Sequence, residues 1–529
     1  MRRYLPLAVA IAIACVLSFY KFGTVPVNLG GDEAQFGING YAIASTGHDV
    51  GGRYMPLFLN LAEPAAGIQS STIWYQPTLF YLTAVVLKFV PLSEASVRLP
   101  TALIAIVDVV LLYVVALRIF GRRDLAIAAA LMLALSPAHL IFSRQALDYI
   151  CPLPFVLGWL WCVSSSLDAD RRWLAAGAGV LLGLATFSYI AAWAFMPIFL
   201  ALTWFVYWRS GRGVVSMIAV TLGAAVPLGL ASLWLLFHPE MLRDTVARYH
   251  LYDTRHLNWL QGVKDFSTYA NLQDRVDTYW SYFSPAYLFL TGGANMTTGT
   301  RHAGVFLWPL ALLIVAGFVE LAKRVRTEPL GTLLIAGFLL APAPATFFGE
   351  RFAIQRELVL LPFGALIATA GIRWFASRST SVATAALVVL LVAVPLQFVA
   401  FARDYFDEYQ RRAAIWFDPT DFRDVAGYVL SVNSERPVPT IYLSDDLDDA
   451  KARWRFYLTA HQQVALLDRT RYFDARDVAL NDIAPGSLLV VTRGDRGLSR
   501  LLGDGHCTIA TTIIDAAGSK TALVLVRAD

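Results

Sequence analysis

Two acidic residues stand side by side just beyond the first apolar run, in NLGGDEAQFGINGYAIASTG. Asp32 and Glu33 are the first residues in the chain whose type and placement could do acid–base chemistry. A carboxylate at the outer end of a membrane helix can take a proton from an attacking hydroxyl. The competing reading is local: Gly30-Gly31 breaks the chain, Asp32 caps the following helix, and Glu33 is a first-turn acid favoured by the helix dipole. A second acid, Asp148, follows Arg144 by four positions in SPAHLIFSRQALDYICPLP, a spacing that puts both on one helix face. They read either as a local ion pair or as an anion-binding arginine with a second active-site carboxylate. His48, Asp49 and Arg53 form a polar group in STGHDVGGRYMPLF, and Trp74, Tyr75, Phe80 and Tyr81 form an aromatic one that suits an interfacial belt or a sugar or lipid groove. Lys264, Arg301, His302, Glu350, Arg351 and Arg356 complete the candidates outside the membrane. Arg356 opens an apolar run, where a cation either snorkels or meets an anion such as a lipid phosphate. Asp108 sits in mid-run, in IAIVDVVLL, as a functional candidate or a protonated acid bonded to a neighbouring helix.

These residues need a frame, and composition names it. Of 529 residues 57% are hydrophobic and 16% charged, with mean hydropathy +0.55. Soluble domains carry about 25% charge. Apolar runs occur near 4–20, 77–91, 98–118, 125–142, 149–166, 173–188, 190–207, 214–237, 303–322, 330–348, 357–375 and 381–402. The chain therefore reads as an α-helical polytopic membrane protein. A net charge of +4, with Lys and Arg in short clusters between runs, is a topology signal and excludes a nucleic-acid partner. The four cysteines have no metal-ligand spacing, and Cys507 is alone in the tail.

Parity decides the run 77–91. If it crosses, Arg122/Arg123, Arg171/Arg172, Arg209/Arg212, Lys323/Arg324/Arg326 and Arg373/Arg378 all fall outside; if it does not, all fall inside, as the positive-inside rule asks. At about 15 residues, with Lys88 and a closing Pro91, it suits an outer-face juxtamembrane helix. The expectation is about eleven spanning helices over 1–402, with external loops 21–97 and 238–302, and a small α/β domain at 403–529 outside the membrane. Strands are expected in PTIYLSD, GSLLVVTR and TALVLVRA, and helices near 420–431 and 447–461. The N-terminus reads as an uncleaved first helix. No sustained internal repeat is visible, which weighs against inverted-repeat transporters.

In order, the stretches GGDEAQFGINGYAIASTG, GHDVGGRYMPLF, QPTLFYL, LSEASVRLP and SPAHLIFSRQALD resemble the bacterial branch of the GT-C glycosyltransferases, whose relatives include protein O-mannosyltransferases and lipid A aminoarabinose transferases. YLFLTGGANMTTGTRHAGVFLWPL resembles that branch's second external loop. The likeness is best over 28–150, weaker over 285–365 and negligible in the tail. It implies transfer of a sugar from a polyprenyl-phosphate carrier to a lipid, glycan or protein acceptor on the outer face of a bacterial inner membrane. It matches Asp32, beside Glu33, to the family's catalytic acid and Asp148 to its second acidic position. Relatives usually carry Lys before the proline of the aromatic stretch; this chain has Gln76, which shifts phosphate binding toward Arg144, Arg351 or Arg356, with Arg301 and His302 nearby in the same set. No resident cofactor is implied, and the acids could bind a divalent ion. The alternatives are a lipid or sugar transporter or flippase, which Asp108 favours, and a non-catalytic membrane subunit that presents its tail to a partner.

The sidedness is directly testable. A cysteine introduced at Gly121 is expected to react with a membrane-impermeant thiol reagent only after the membrane is opened; labelling in intact cells reverses the topology.

Overall fold

The computed structural model describes residues 5–61, 74–168, 171–249, 258–478, 482–503 and 506–528. The basic start Arg2/Arg3 lies outside them. Two compact units divide the chain. One comprises Met1–Tyr20, Gly51–Tyr81 and Pro100–Asp404; the other comprises Lys21–Val50, Leu82–Leu99 and Tyr405–Asp529. The unit holding the tail thus also takes in two segments that the sequence division assigned to the membrane part.

The first unit is helical. Among the described residues, five helices are long and apolar enough to cross a membrane, or six if one bent pair counts as a single crossing. The first helices in chain order are α1 (Leu5–Phe19), α2 (Gly31–Thr46), α3 (Pro77–Leu87), α4 (Glu94–Phe120), α5 (Arg123–Ala134) and α6 (Pro137–Ser143). At eleven residues α3 is about 17 Å long, against a hydrocarbon core of about 30 Å. The run 125–142, expected as one helix, is the bent pair α5 and α6, which meet at 60°. Ser136-Pro137 causes the break: proline cannot continue the helical bonding, while the Ser136 hydroxyl accepts from the His139 N–H at 3.4 Å and donates to the Val305 carbonyl at 3.0 Å. Helix Leu360–Ala376 is buried on every side from Leu360 to Ile372, as an all-apolar helix in a bundle centre should be.

Small residues let these helices approach closely. On helix Arg172–Ala185, a Cβ at Gly179 would fall on the Val220 carbonyl oxygen of helix Gly213–Phe237. Gly223, from the opposite side, meets the Ala176 carbonyl in the same way. Helix pairs in lipid gain mainly from such van der Waals contact, because burial of apolar surface gains little there.

The second unit carries a five-stranded sheet. After the short pair β1 (Leu59–Asn60) and β2 (Trp74–Tyr75) of the first unit, its strands are β3 (Ile441–Ser444), β4 (Thr470–Phe473), β5 (Leu488–Thr492), β6 (Cys507–Ile514) and β7 (Lys520–Arg527), in the order β4-β3-β5-β7-β6. β3 runs parallel to β4 and β5, and β7 antiparallel to β5 and β6. The three expected strands are β3, β5 and β7. β4 and β6 are edge strands in which half of the residues are exposed and burial does not alternate, so their hydropathy pattern is weak. Helices Phe422–Glu435 and Ala450–Ala460 match the two expected segments. Helix α2 packs on Ala450–Ala460, where Gly37 lies against Phe456 and Val97, and Gly40 against Thr83.

Gly179→Val should lower the thermal midpoint of the purified protein in detergent by several degrees or abolish its accumulation. Gly177→Ala, whose Cβ would meet Cys162 Sγ at an ordinary 3.6 Å, should change neither.

Candidate active site

The acidic pair is split by the helix that carries it. Gly30, not Asp32, is the N-cap of α2, and the Glu33 carboxylate accepts the Gly30 N–H at 2.9 Å, reaching back as in a capping box. Asp32 is exposed in the first helical turn, whereas Glu33 is buried. Arg98, fully buried, donates from Nε to Glu33 Oε1 and from Nη2 to Glu33 Oε2, both at 2.9 Å. The same guanidinium donates to the carbonyls of Pro26 and Asn28, each at 2.8 Å. Glu33 therefore positions the turn that presents Asp32. The two acids expected to act together thus stand in different surroundings, Glu33 buried and paired and Asp32 exposed.

The tail supplies the surroundings of that turn. Arg453, buried, donates to the Leu29 carbonyl at 3.4 Å and the Phe417 carbonyl at 2.8 Å, with Asp418 at 3.7 Å. The Asp449 carboxylate lies against Gly31, where a side chain at 31 would overlap it. Burial raises the Asp449 pKa, and the charges of Asp448 and Asp32 raise it further against the pull of Arg453. Nothing in the sequence ties DDLDDAKARW to the DE pair. His48, exposed, places Nδ1 3.0 Å from the Thr46 carbonyl, and Asp49 is buried beyond the end of the same helix.

In the other unit, Arg144 and Asp148 do not share a helix face. α6 ends at Ser143, Arg144 is its C-cap, and Asp148 begins a separate short turn, Asp148–Ile150. The intervening chain is drawn elsewhere: Arg144 Nη1 donates to the Leu17 and Ser18 carbonyls at 3.0 and 2.8 Å, and Gln145 donates to the Thr297 carbonyl at 2.7 Å. Arg144 thus closes the C-terminal end of α1, whose last carbonyls have no helical partners. At least one of its nitrogens is thus spent on structure.

Arg356 ends the short turn Ile354–Arg356 and is 9% exposed. Its Nε and Nη2 donate to Glu350 at 2.8 and 2.6 Å. Its guanidinium carbon stands 4.4 Å from the Phe348 ring centre and 5.0 Å from that of Tyr249, and Nη1 reaches the Tyr189 hydroxyl at 3.4 Å. Burial raises the Tyr249 pKa, opposed by Arg356 and reinforced by Asp148 and Glu350. Asp148, buried, is therefore within electrostatic reach of the arginine centre, so two of the expected residues come together. Sequence reasoning missed Tyr189 and Tyr249. The available signals were a tyrosine at the break between two apolar runs and the aromatic content of the second external loop.

Beside this centre lies an apolar cavity of about 520 Å³, lined by Trp193, Pro197, Leu235, Met241, Phe266 and Phe348 among others. The remaining candidates are dispersed. Arg351 is exposed in the turn before Arg356. Gln76 is buried immediately before α3. Tyr75 is half-buried with its ring 6.2 Å from Phe80. Arg53 donates to the Asn60 carbonyl at 2.7 Å and lies 5.9 Å from the Trp74 ring. Arg301 donates to the Ala294 carbonyl at 2.6 Å, and His302 Nδ1 is 3.2 Å from Asp404. Lys264 is exposed. Asp108 is buried with His139 Nε2 3.6 Å away, too far for a hydrogen bond. Among the described residues, no three His, Cys, Asp or Glu side chains are grouped to hold a metal ion.

Residues 75–237 match the family described as dolichyl-phosphate-mannose-protein mannosyltransferase. No curated protein sequence matches the chain. Among solved structures, the chain is similar to ArnT from Cupriavidus metallidurans in the apo state, with a TM-score of 0.55 and 13% identity over 99% of this chain and 98% of that one. The same protein bound to undecaprenyl phosphate gives 0.52 and 13% over 98% and 97%. The archaeal oligosaccharyltransferase AglB from Archaeoglobus fulgidus, in complex with an inhibitory peptide and a dolichol-phosphate, gives 0.50 and 14%, with 87% of this chain covering 64% of that one. The chain thus spans less than two thirds of AglB and nearly all of ArnT. The family match is confined to residues 75–237, and the likeness to ArnT, at 13% identity, is one of fold.

The two acids should separate by their effects on stability. Removing the charge of a buried, paired carboxylate typically costs about 3–5 kcal/mol. Glu33→Ala should therefore unfold the protein many degrees earlier in detergent, whereas Asp32→Asn should leave the midpoint within a degree or two.

Proposed function

We propose that this protein is an inverting glycosyltransferase that moves a sugar from a polyprenyl-phosphate carrier to an acceptor hydroxyl on the outer face of a bacterial inner membrane, with its C-terminal unit outside. One observation carries the reading: a buried arginine in an aromatic setting, Arg356, adjoins an apolar cavity of about 520 Å³ through Phe348. A lipid phosphate combines these two chemistries, since its head needs a guanidinium fork and its chain an apolar groove. The undecaprenyl phosphate bound in the ArnT structure supports the same donor class.

In this reading Arg356, with the Tyr189 and Tyr249 hydroxyls, takes the donor phosphate. The acceptor oxygen attacks the anomeric carbon, the bond from that carbon to the phosphate oxygen breaks, and the lipid phosphate leaves with the bonding pair. The acceptor proton goes to a carboxylate base, the role that the resemblance of its motif implies for Asp32. Charge growing on the phosphate is held by Arg356. Asp148 adds to the rise in the Tyr249 pKa that burial causes. A single displacement inverts the anomeric centre. The acceptor is an envelope lipid, glycan or protein.

A deletion strain complemented with wild type, Asp32→Asn or Arg356→Ala tests this. Membranes receive a panel of polyprenyl-phosphate sugars, and mass spectrometry follows envelope glycolipids and glycoproteins. Wild type should add one sugar to one acceptor, and each variant should lose at least about 100-fold in rate at equal protein level. Wild-type transfer by Asp32→Asn would remove it as the base, and a retained anomer would exclude direct displacement. Counterflow in proteoliposomes without product would favour the transporter reading, to which the buried Asp108–His139 pair belongs.

A further inference from the structure

The fork of Arg356 is already filled. Its Nε and Nη2 make two side-by-side bonds to the two oxygens of Glu350, 2.8 and 2.6 Å long, the arrangement that a phosphate takes on a guanidinium. We propose that the Glu350 carboxylate is a built-in stand-in for the donor phosphate, occupying the anion position at Arg356 until a lipid phosphate displaces it. The proposal rests on the donor reading given above.

Three features favour displacement over a permanent pair. Exposure is unequal: the Arg356 side chain is 9% exposed and Glu350 is 39% exposed. The arginine, enclosed by Phe348, Tyr249 and Tyr189, cannot follow a ligand outward, whereas the carboxylate has a route into water. The backbone around Glu350 is held independently of its side chain. The Tyr282 hydroxyl donates to the Glu350 carbonyl and accepts the Ala353 N–H at 3.0 Å, and Ala294 N–H donates to the Phe352 carbonyl at 3.3 Å. The exchange therefore needs a side-chain rotation and no movement of the loop. Finally, a buried guanidinium without an anion is costly, so the empty site requires an occupant.

Competition of this kind lowers the apparent affinity for a phosphate head by the fraction of sites that Glu350 leaves open. It also acts on turnover. The donor is a phosphodiester with one negative charge, whereas the carrier left after transfer is a monoester with about −1.5 to −2. The more highly charged product holds Arg356 more strongly, and the return of Glu350 helps to release it.

The test uses the full chain purified in detergent, with binding of a short-chain polyprenyl phosphate and of the matching polyprenol. Glu350→Gln keeps a hydrogen-bond acceptor for Arg356 but loses the charge. It should bind the phosphate about tenfold more tightly, with polyprenol binding unchanged. Glu350→Asp, which reaches less far, should tighten binding by a smaller factor and provides a second variant should the first misfold. In transfer assays Glu350→Gln should lower both KM for the donor and kcat, because product release slows. If folded Glu350 variants bind the phosphate no more tightly while Arg356→Lys binds it more weakly, Glu350 is a fixed partner and the proposal fails with the donor reading intact. If Arg356→Lys leaves phosphate affinity unchanged, the donor reading fails and the proposal with it.

Discussion

The ion pair between Arg98 and Glu33 is the constraint on which the acidic turn depends. Both side chains are almost completely removed from water, so the pair is favourable only because its remaining donors and acceptors are used. Arg98 spends them on the carbonyls of Pro26 and Asn28, and Glu33 takes the N–H of Gly30. A non-helical stretch that would otherwise bury bare peptide groups is thereby satisfied. The tail repeats the device with Arg453, which binds the carbonyls of Leu29 and Phe417. These two guanidiniums hold the chain that leads into the first turn of α2, on which Asp32 is exposed.

Arginine serves three ends in this chain. Arg98 and Arg453 hold loop carbonyls, Arg144 closes the end of α1, and Arg356 stands among aromatic rings with a partly exposed carboxylate on its fork. The first two uses spend donors on backbone carbonyls. The third leaves the fork on a partner that can move. That difference is why the proposal places the carrier phosphate at Arg356.

Much of the frame was legible beforehand. The apolar runs became helices, the short run after Gln76 became an eleven-residue helix, and three of the five tail strands and both tail helices fell where alternation and periodicity put them. The failures have specific causes. The bend between α5 and α6 was carried by Ser136-Pro137 inside a run whose hydropathy hid it. The Arg144–Asp148 face failed because side-chain bonds to α1 and to Thr297 replaced a helical turn. β4 and β6 lie at sheet edges and bury too little on either face to show a period.

By itself, the sequence determined what depends on local pattern: a helical membrane protein with an α/β tail, a GT-C-like order of motifs, and the set of residues able to do chemistry. Hydropathy and turn residues act over a few positions, and the thickness of the bilayer converts them directly into helices. Only the tertiary structure decided which members of that set are spent on structure. A guanidinium or carboxylate is committed by the partners that surround it, and those came from far along the chain: Arg98 lies 65 residues from Glu33, Arg144 lies 126 from Ser18, and Arg453 lies 424 from Leu29. No short-range pattern encodes such pairings, so the different surroundings of Asp32 and Glu33, and of Arg144 and Arg356, emerged only once the chain was folded.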